Sequence, residues 1–117
     1  MNLFFEQYTV SKHFDKNADA VLLEGDTLDI LRQLPDNSFK LIVSSPPYNI
    51  GKIYEKEVSL DEYLAWQEKI IIELYRTCHI NGSIVWQVGN YVDEGEIFPL
   101  DIYFYPIFKK IGLKLRN

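Results

Sequence analysis

A chain of 117 residues, 47% of them apolar and 15% aromatic, has enough apolar side chain for one small core and too little length for two. Its formal net charge of −5 at pH 7 has the wrong sign for a free-standing DNA binder, whose affinity comes mostly from cationic contacts to phosphate. The single cysteine, Cys78, excludes a disulfide framework and a cysteine-rich zinc site, and with neither a signal peptide at Met1-Asn2-Leu3-Phe4-Phe5-Glu6 nor an apolar run of membrane length, a cytoplasmic location is expected.

In chain order, residues 1–20 carry Phe4, Phe5 and Tyr8 and then a polar segment through Lys12, Asp15, Lys16 and Asp19, which reads as an arm packing its aromatics on the domain. His13 within it reads as a solvated loop residue. Val21-Leu22-Leu23-Glu24 reads as a short strand, and Gly25-Asp26-Thr27 ends it. Asp26 is placed to cap a helix through Leu28, Ile30, Leu31 and Leu34 that Pro35 stops.

The apolar run Phe39-Lys40-Leu41-Ile42-Val43 reads as a buried strand that must stop at Ser44 or Ser45, because Pro46 and Pro47 have no N–H for a sheet ladder. A residue before proline is pushed to extended geometry. The chain should therefore leave the sheet as a stiff segment with the Pro46 carbonyl free and Tyr48 projecting. A hydroxyl, a carbonyl and an aromatic face then converge at the mouth of a sheet. Residues 50–58 are polar, with Gly51, Lys52, Tyr54 and Lys56, and read as a mobile loop; beside that mouth it would bring Lys52 near a phosphate, and an ordinary surface loop explains the same residues equally well.

Ser59-Leu60-Asp61-Glu62 has the form of a capping box that opens a helix with Leu60, Leu64, Ile71, Leu74 and Cys78 along one side, closed by Asn81-Gly82. Residues 83–89 read as a central strand with Trp86 in the core, ending on the same edge as the Ser45 turn, so that Asn90 would line the pocket. Asp93-Glu94-Gly95-Glu96 reads as a solvated acidic loop; its carboxylates have no supporting histidine, and no metal site is expected. Pro99 suits a helix start, Ile102, Tyr105, Phe108 and Ile111 keep helical spacing with a kink expected at Pro106, Gly112 ends the helix, and Leu113-Lys114-Leu115 begins another strand. Lys109, Lys110, Lys114 and Arg116 read as a solvated face complementing the helix dipole.

Alternating strands and helices imply parallel pairing with right-handed crossovers. The expected fold class is α/β, a partial Rossmann-like sheet, mainly parallel, with helices on both faces. Residues 1–20 form the arm and residues 21–117 the domain.

Ser45-Pro46-Pro47-Tyr48 resembles the (Asp/Asn/Ser)-Pro-Pro-(Tyr/Phe) catalytic motif of the S-adenosylmethionine-dependent DNA methyltransferases that modify exocyclic amino groups. The frame around it is similar too: Gly25-Asp26, Leu34-Pro35-Asp36-Asn37-Ser38, the strand into Ser45, then Asn49-Ile50-Gly51-Lys52 and Asn81-Gly82-Ser83. This is the order of the branch in which the catalytic motif precedes the cofactor motif. The resemblance implies double-stranded DNA as substrate, with a restriction endonuclease as functional partner. It makes Ser45, Pro46, Pro47 and Tyr48 catalytic, Asp26 and Thr27 neighbours of the adenine end of the cofactor, and Asn49 and Lys52 substrate-side residues.

An amino nitrogen conjugated with a ring is a poor nucleophile until acceptors hold its hydrogens. The Ser45 hydroxyl oxygen and the Pro46 carbonyl would be those acceptors, spaced by a stiff Pro-Pro backbone. Tyr48 would stack on a base turned out of the duplex. Serine in first place resembles the N4-cytosine enzymes more than the N6-adenine ones. The family's Phe-x-Gly-x-Gly cofactor turn is absent, because no two of the six glycines are spaced as G-x-G. The segment that reads the DNA sequence is absent too. The resemblance therefore implies the amino-terminal part of a longer methyltransferase, apparently truncated at its carboxyl end and inactive alone. A methyltransferase of RNA or of protein glutamine, a non-catalytic nucleotide-binding domain and a decayed gene product are the alternatives.

Overall fold

The structure is a computed structural model that describes residues 7–49 and 58–117; Phe4, Phe5 and Lys52, with most of the loop expected at residues 50–58, lie outside the described residues. The first described segment closes on itself. The Thr9 N–H and hydroxyl both donate to Asp19 Oδ2 at 2.6 and 3.0 Å, and the Asp19 N–H returns to the Thr9 carbonyl at 3.0 Å. These bonds hold the Asp19 carboxyl below its ordinary pKa. They bring β1 (Val10–Ser11) alongside β2 (Ala20–Val21) in a short parallel pair. Tyr8 is 68% exposed, and the strand expected at residues 21–24 is reduced to the end of β2.

Asp26 caps α1 (Thr27–Gln33) as its position predicts, its Oδ1 accepting from the N–H groups of Leu28 and Asp29 at 2.9 and 3.2 Å. Strand β3 (Phe39–Ser44) follows and stops one residue before Ser45-Pro46. Ser59 caps α2 (Leu60–Thr77), its hydroxyl accepting from the Glu62 N–H at 3.2 Å.

The side of α2 that is buried carries Tyr63, Gln67, Ile70, Ile71, Leu74 and Thr77, whereas Leu60 and Leu64 are half-buried. The buried side thus includes three polar-tipped residues, Tyr63, Gln67 and Thr77, that an apolar-only pattern passes over. At its far end Arg76 reaches across to α1. Its guanidinium donates to the carbonyls of Leu31 and Leu34 at 2.7 and 2.8 Å, to Asp36 at 2.6 Å and to Glu73 at 2.8 Å. The last carbonyls of a helix need such donors. The two carboxylates raise the Arg76 pKa still further.

Helix α2 ends at Thr77 and passes straight into β4 (Cys78–Trp86), so Asn81-Gly82 does not close the helix but lies within the strand. Strand β4 pairs with β3 in parallel. The register runs from Phe39 opposite Cys78 to Leu41 opposite Ser83, which places an irregularity at residues 79–82. Gly82 is required there by close approach: a Cβ would lie 2.9 Å from the Lys40 carbonyl oxygen and 2.7 Å from Cys78 Sγ.

The acidic segment is a hairpin and not a loop, with β5 (Asn90–Asp93) antiparallel to β6 (Glu96–Pro99). Its two central residues, Glu94 and Gly95, both have positive φ, 48° and 82°, as a tight hairpin turn with the right twist requires. Helix α3 (Leu100–Lys110) starts after Pro99 and runs through Pro106. It ends where Gly112, at φ 104°, lets the Leu113 N–H turn back to the Phe108 carbonyl at 3.1 Å. Leu113 is therefore part of a helix cap, and residues 113–115 form no strand.

One cluster joins Leu31 of α1 and Leu34 just after it to Ile70 and Leu74 of α2, over Ile42 and Ile84 of the sheet. A second joins Tyr63 and Ile71 to Tyr91, Leu100 and Phe104. Trp86 belongs to both and meets Phe104 and Phe108 edge-on at 5.6 and 5.7 Å, so it is a core residue as expected. Each fully buried member, such as Ile71 or Leu100, contributes about 1.5–3 kcal/mol relative to exposure. Alternation along the strands puts Leu41, Val43 and Val85 on the opposite face, at 60%, 69% and 48% exposure.

Candidate active site

The parallel β3–α2–β4 unit puts the carboxyl ends of both strands on one edge, the place where open α/β sheets bind ligands. The ladder continues to that edge: the Gln87 N–H donates to the Ser44 carbonyl at 2.9 Å. Beyond it Ser45 is exposed, Pro46 buried, and Pro47 and Tyr48 half-buried. The hydroxyls of Ser45 and Tyr48 lie 3.2 Å apart. A serine oxygen has two lone pairs and one proton, so a bond with Tyr48 still leaves it an acceptor position for an incoming N–H.

Among the described residues, three contacts hold this turn. The Tyr63 hydroxyl, from the first turns of α2, donates to the Pro47 carbonyl. The Asn49 side chain grips both backbone groups of Val58, donating to its carbonyl at 2.6 Å and accepting from its N–H at 2.8 Å. Asn49 is buried, at 2% exposure, and takes φ 61°, a left-handed conformation in which asparagine is one of the few favoured residues. Finally the Tyr48 ring lies close enough to Gly89 that a Cβ there would come within 3.1 Å of Cε2. The Gly89 carbonyl in turn accepts the first N–H of α3, from Leu100 at 3.2 Å.

The sequence-predicted residues Ser45, Pro46, Pro47, Tyr48 and Asn49 are therefore brought together in one turn. Asn49 serves that turn as a buried clamp. Asn90 is exposed at the start of β5, next to the Gly89 wall. Asp26 and Thr27 stand apart at the start of α1; the hydrogen bonds of Asp26 among the described residues go to its own helix. Both of those N–H bonds fall on Oδ1, so Oδ2 takes no part in the cap. Sequence reasoning missed Tyr63, Val58 and Gly89 as partners of the turn. The signal for Tyr63 was its place on the same helix face as Ile70 and Leu74.

Among the described residues no group of three or more His, Cys, Asp or Glu side chains could hold a metal ion, and no helix is long and apolar enough to cross a membrane. Burial raises the Cys78 thiol pKa, which disfavours the reactive thiolate.

Comparison with known proteins agrees with this geometry. The type II methyltransferase M.BglII of Bacillus subtilis is 46% identical over 109 residues, covering 92% of this chain and 30% of the relative. M.ScaI of Streptomyces caespitosus is 36% identical over 94 residues, covering 78% of this chain and 31% of the relative. The chain thus spans about a third of the length of these relatives. Among solved structures, TTHA0409 of Thermus thermophilus, assigned as a DNA modification methylase and crystallised with S-adenosyl-L-methionine, superposes with a TM-score of 0.64 at 27% identity. That match covers 80% of this chain and 41% of the other. The family described as DNA methylase, of the N6 and N4 type, matches residues 39–117, from the first residue of β3 onward. With well over half of its residues matched and its Ser-Pro-Pro-Tyr turn built on the expected strand end, the chain belongs to the N6/N4 DNA methylase family.

Proposed function

We propose that this chain is the amino-terminal, base-binding part of a DNA methyltransferase that transfers a methyl group from S-adenosylmethionine to an exocyclic amino group, N4 of cytosine in preference to N6 of adenine. The observation that carries the reading is the turn itself: Ser45 and Tyr48 share a hydroxyl contact at a strand end, and the Tyr48 ring is backed by Gly89.

A base turned out of the duplex stacks on Tyr48. Its amino group then meets the Ser45 oxygen and the Pro46 carbonyl, which accept its two hydrogens and let the nitrogen lone pair leave conjugation with the ring. S-adenosylmethionine, when bound, supplies an electrophilic methyl group: an N–C bond forms from the nitrogen lone pair as the C–S bond breaks and its electrons stay on sulfur. Serine is no strong base, so the extra proton departs after methylation, through the Ser45 hydroxyl to water. Preorganised acceptors of this kind account for several kcal/mol of barrier lowering. Asp26 and Thr27 are assigned to the adenine end of the cofactor, with Asp26 Oδ2 as the acceptor. For the methionine end this chain has no glycine turn, and Lys52 is assigned to a DNA phosphate. The net charge of −5 supports a DNA-reading segment elsewhere in the complete protein, and a restriction endonuclease is its expected functional counterpart.

The test compares the complete protein with the isolated 117-residue chain, using labelled S-adenosylmethionine and duplex DNA, RNA or protein as acceptor. The complete protein should label DNA, Ser45→Ala should reduce the rate at least about 100-fold, and the isolated chain should transfer nothing. Label appearing on RNA or protein in preference to DNA, or Ser45→Ala matching wild type, would refute the proposal.

A further inference from the structure

Tyr63 lies outside the Ser-Pro-Pro-Tyr motif and on a different element, yet its hydroxyl bonds directly to the turn. The consequence follows from proline geometry. The peptide plane that carries the Pro46 carbonyl and the plane that carries the Pro47 carbonyl are related by φ and ψ of Pro47, and the ring fixes φ. One rotation remains. A donor on the Pro47 carbonyl sets that rotation, and with it the direction of the Pro46 carbonyl on one side and the start of Tyr48 on the other.

The donor is itself immobile. Tyr63 is 1% exposed, and its ring packs edge-on against Phe104 at 5.9 Å, inside the cluster that also holds Ile71 and Leu100. On the far side of Tyr48, Asn49 is clamped to Val58 through both ends of its side-chain amide. Tyr48 is thus held at both ends, and only the Tyr63 end acts on the acceptor carbonyl. A buried tyrosine hydroxyl normally finds some partner. Here the hydroxyl donates to the Pro47 carbonyl, whose orientation also orients Pro46.

We propose that Tyr63 is a positioning residue for methyl transfer, its hydroxyl fixing both the Pro46 carbonyl and the Tyr48 ring; the catalytic half of this statement rests on the function proposed above. Tyr63→Phe removes the hydroxyl and keeps the ring contacts. Two measurements test it. In the 117-residue chain labelled with 3-fluorotyrosine, the Tyr48 fluorine resonance, assigned by its loss in Tyr48→Phe, should shift or broaden in Tyr63→Phe and stay unchanged in the control Tyr105→Phe, whose side chain is on the surface of α3. In the complete protein, Tyr63→Phe should lower kcat about tenfold while KM for DNA and for S-adenosylmethionine stays within about twofold.

A purely structural tyrosine would lower the melting temperature and leave kcat of the folded enzyme intact. An unmoved Tyr48 resonance, or an unchanged kcat, overturns the proposal. If the wild-type protein transfers no methyl group while the Tyr48 resonance still moves in Tyr63→Phe, the methyltransferase reading fails and the positioning of the turn by Tyr63 stands.

Discussion

Gly89→Ala is the smallest change that should press on the Tyr48 ring from behind. Gly89 has no positive φ, so alanine meets no backbone strain, and its effect comes from the methyl group alone. That methyl would lie 3.1 Å from Tyr48 Cε2, 3.3 Å from Cδ2 and 3.7 Å from Cζ. Carbon atoms rest at about 3.5–4.0 Å, so the ring must withdraw by about 0.5 Å. The wall cannot yield instead, because the Gly89 carbonyl holds the first N–H of α3. Overpacking costs about 1–3 kcal/mol, and the half-buried ring puts this site near the lower bound. The kinetic effect is larger in kind: a misplacement of about 1 Å costs about 100-fold in rate, so half that distance should cost about tenfold. Methyl transfer by the complete Gly89→Ala protein, read beside its thermal midpoint, tests both figures. Wild-type kcat with a wild-type midpoint would show that Tyr48 does not rest on Gly89, and the base platform drawn here would be wrong.

Gly82→Ala should be far more damaging to the fold, because two of the atoms its Cβ would meet are backbone oxygens, of His79 and Lys40, at 2.9 Å each. A loss of about 3 kcal/mol or more is expected in urea denaturation, and a loss under about 1 kcal/mol would refute the close approach of β3 and β4. Gln67 is 1% exposed, with neither amide atom hydrogen-bonded among the described residues. Gln67→Met, similar in shape, should therefore stabilise the chain by about 1–2 kcal/mol; destabilisation would mean that the amide is satisfied. Asp19 has a depressed carboxyl pKa, so its bonds to Thr9 stabilise the first loop above the ordinary carboxylate pKa and are lost as pH falls through the lower folded value. Protection of the Thr9 amide from exchange should fall below about pH 4 in the wild type, and Asp19→Asn should remove that pH dependence.

What the sequence revealed and what it hid divide by range of interaction. The caps at Asp26 and Ser59 and the stop at Gly112 were legible because each is settled by bonds to residues only a few positions away, and the helix start after Pro99 was legible because the proline ring presets a helical φ. The end of β3 was legible because proline forbids the alternative. The role of Gly82 was misread because helix closure and close strand approach use the same residue type, and only the presence of the Lys40 carbonyl decides between them. The hairpin at residues 90–99 had a readable signal in Glu94-Gly95, which the surrounding acidic charge obscured. The helix face of Tyr63 was readable, but its bond to the turn, like the parts played by Gly89 and Val58, was out of reach, since each depends on a partner that the fold, and not the local sequence, supplies.

Arg76 makes α1 and α2 behave as one strut. Tyr63, which holds the turn, and Arg76, which grips the end of α1, lie on the same helix, thirteen positions apart by their numbers and so separated by about 20 Å of rigid rod at about 1.5 Å per residue. From the Arg76 joint, α1 runs back to the cap at Asp26. The proposed base side and the proposed cofactor side are therefore spaced by the pitch of two welded helices and not by loops. Such a frame tolerates substitution along its outer surface but not a change of length. One residue inserted into α2 between Tyr63 and Arg76 would turn one end by about 100° and shift it by about 1.5 Å, so that either the turn or the α1 joint loses its partner.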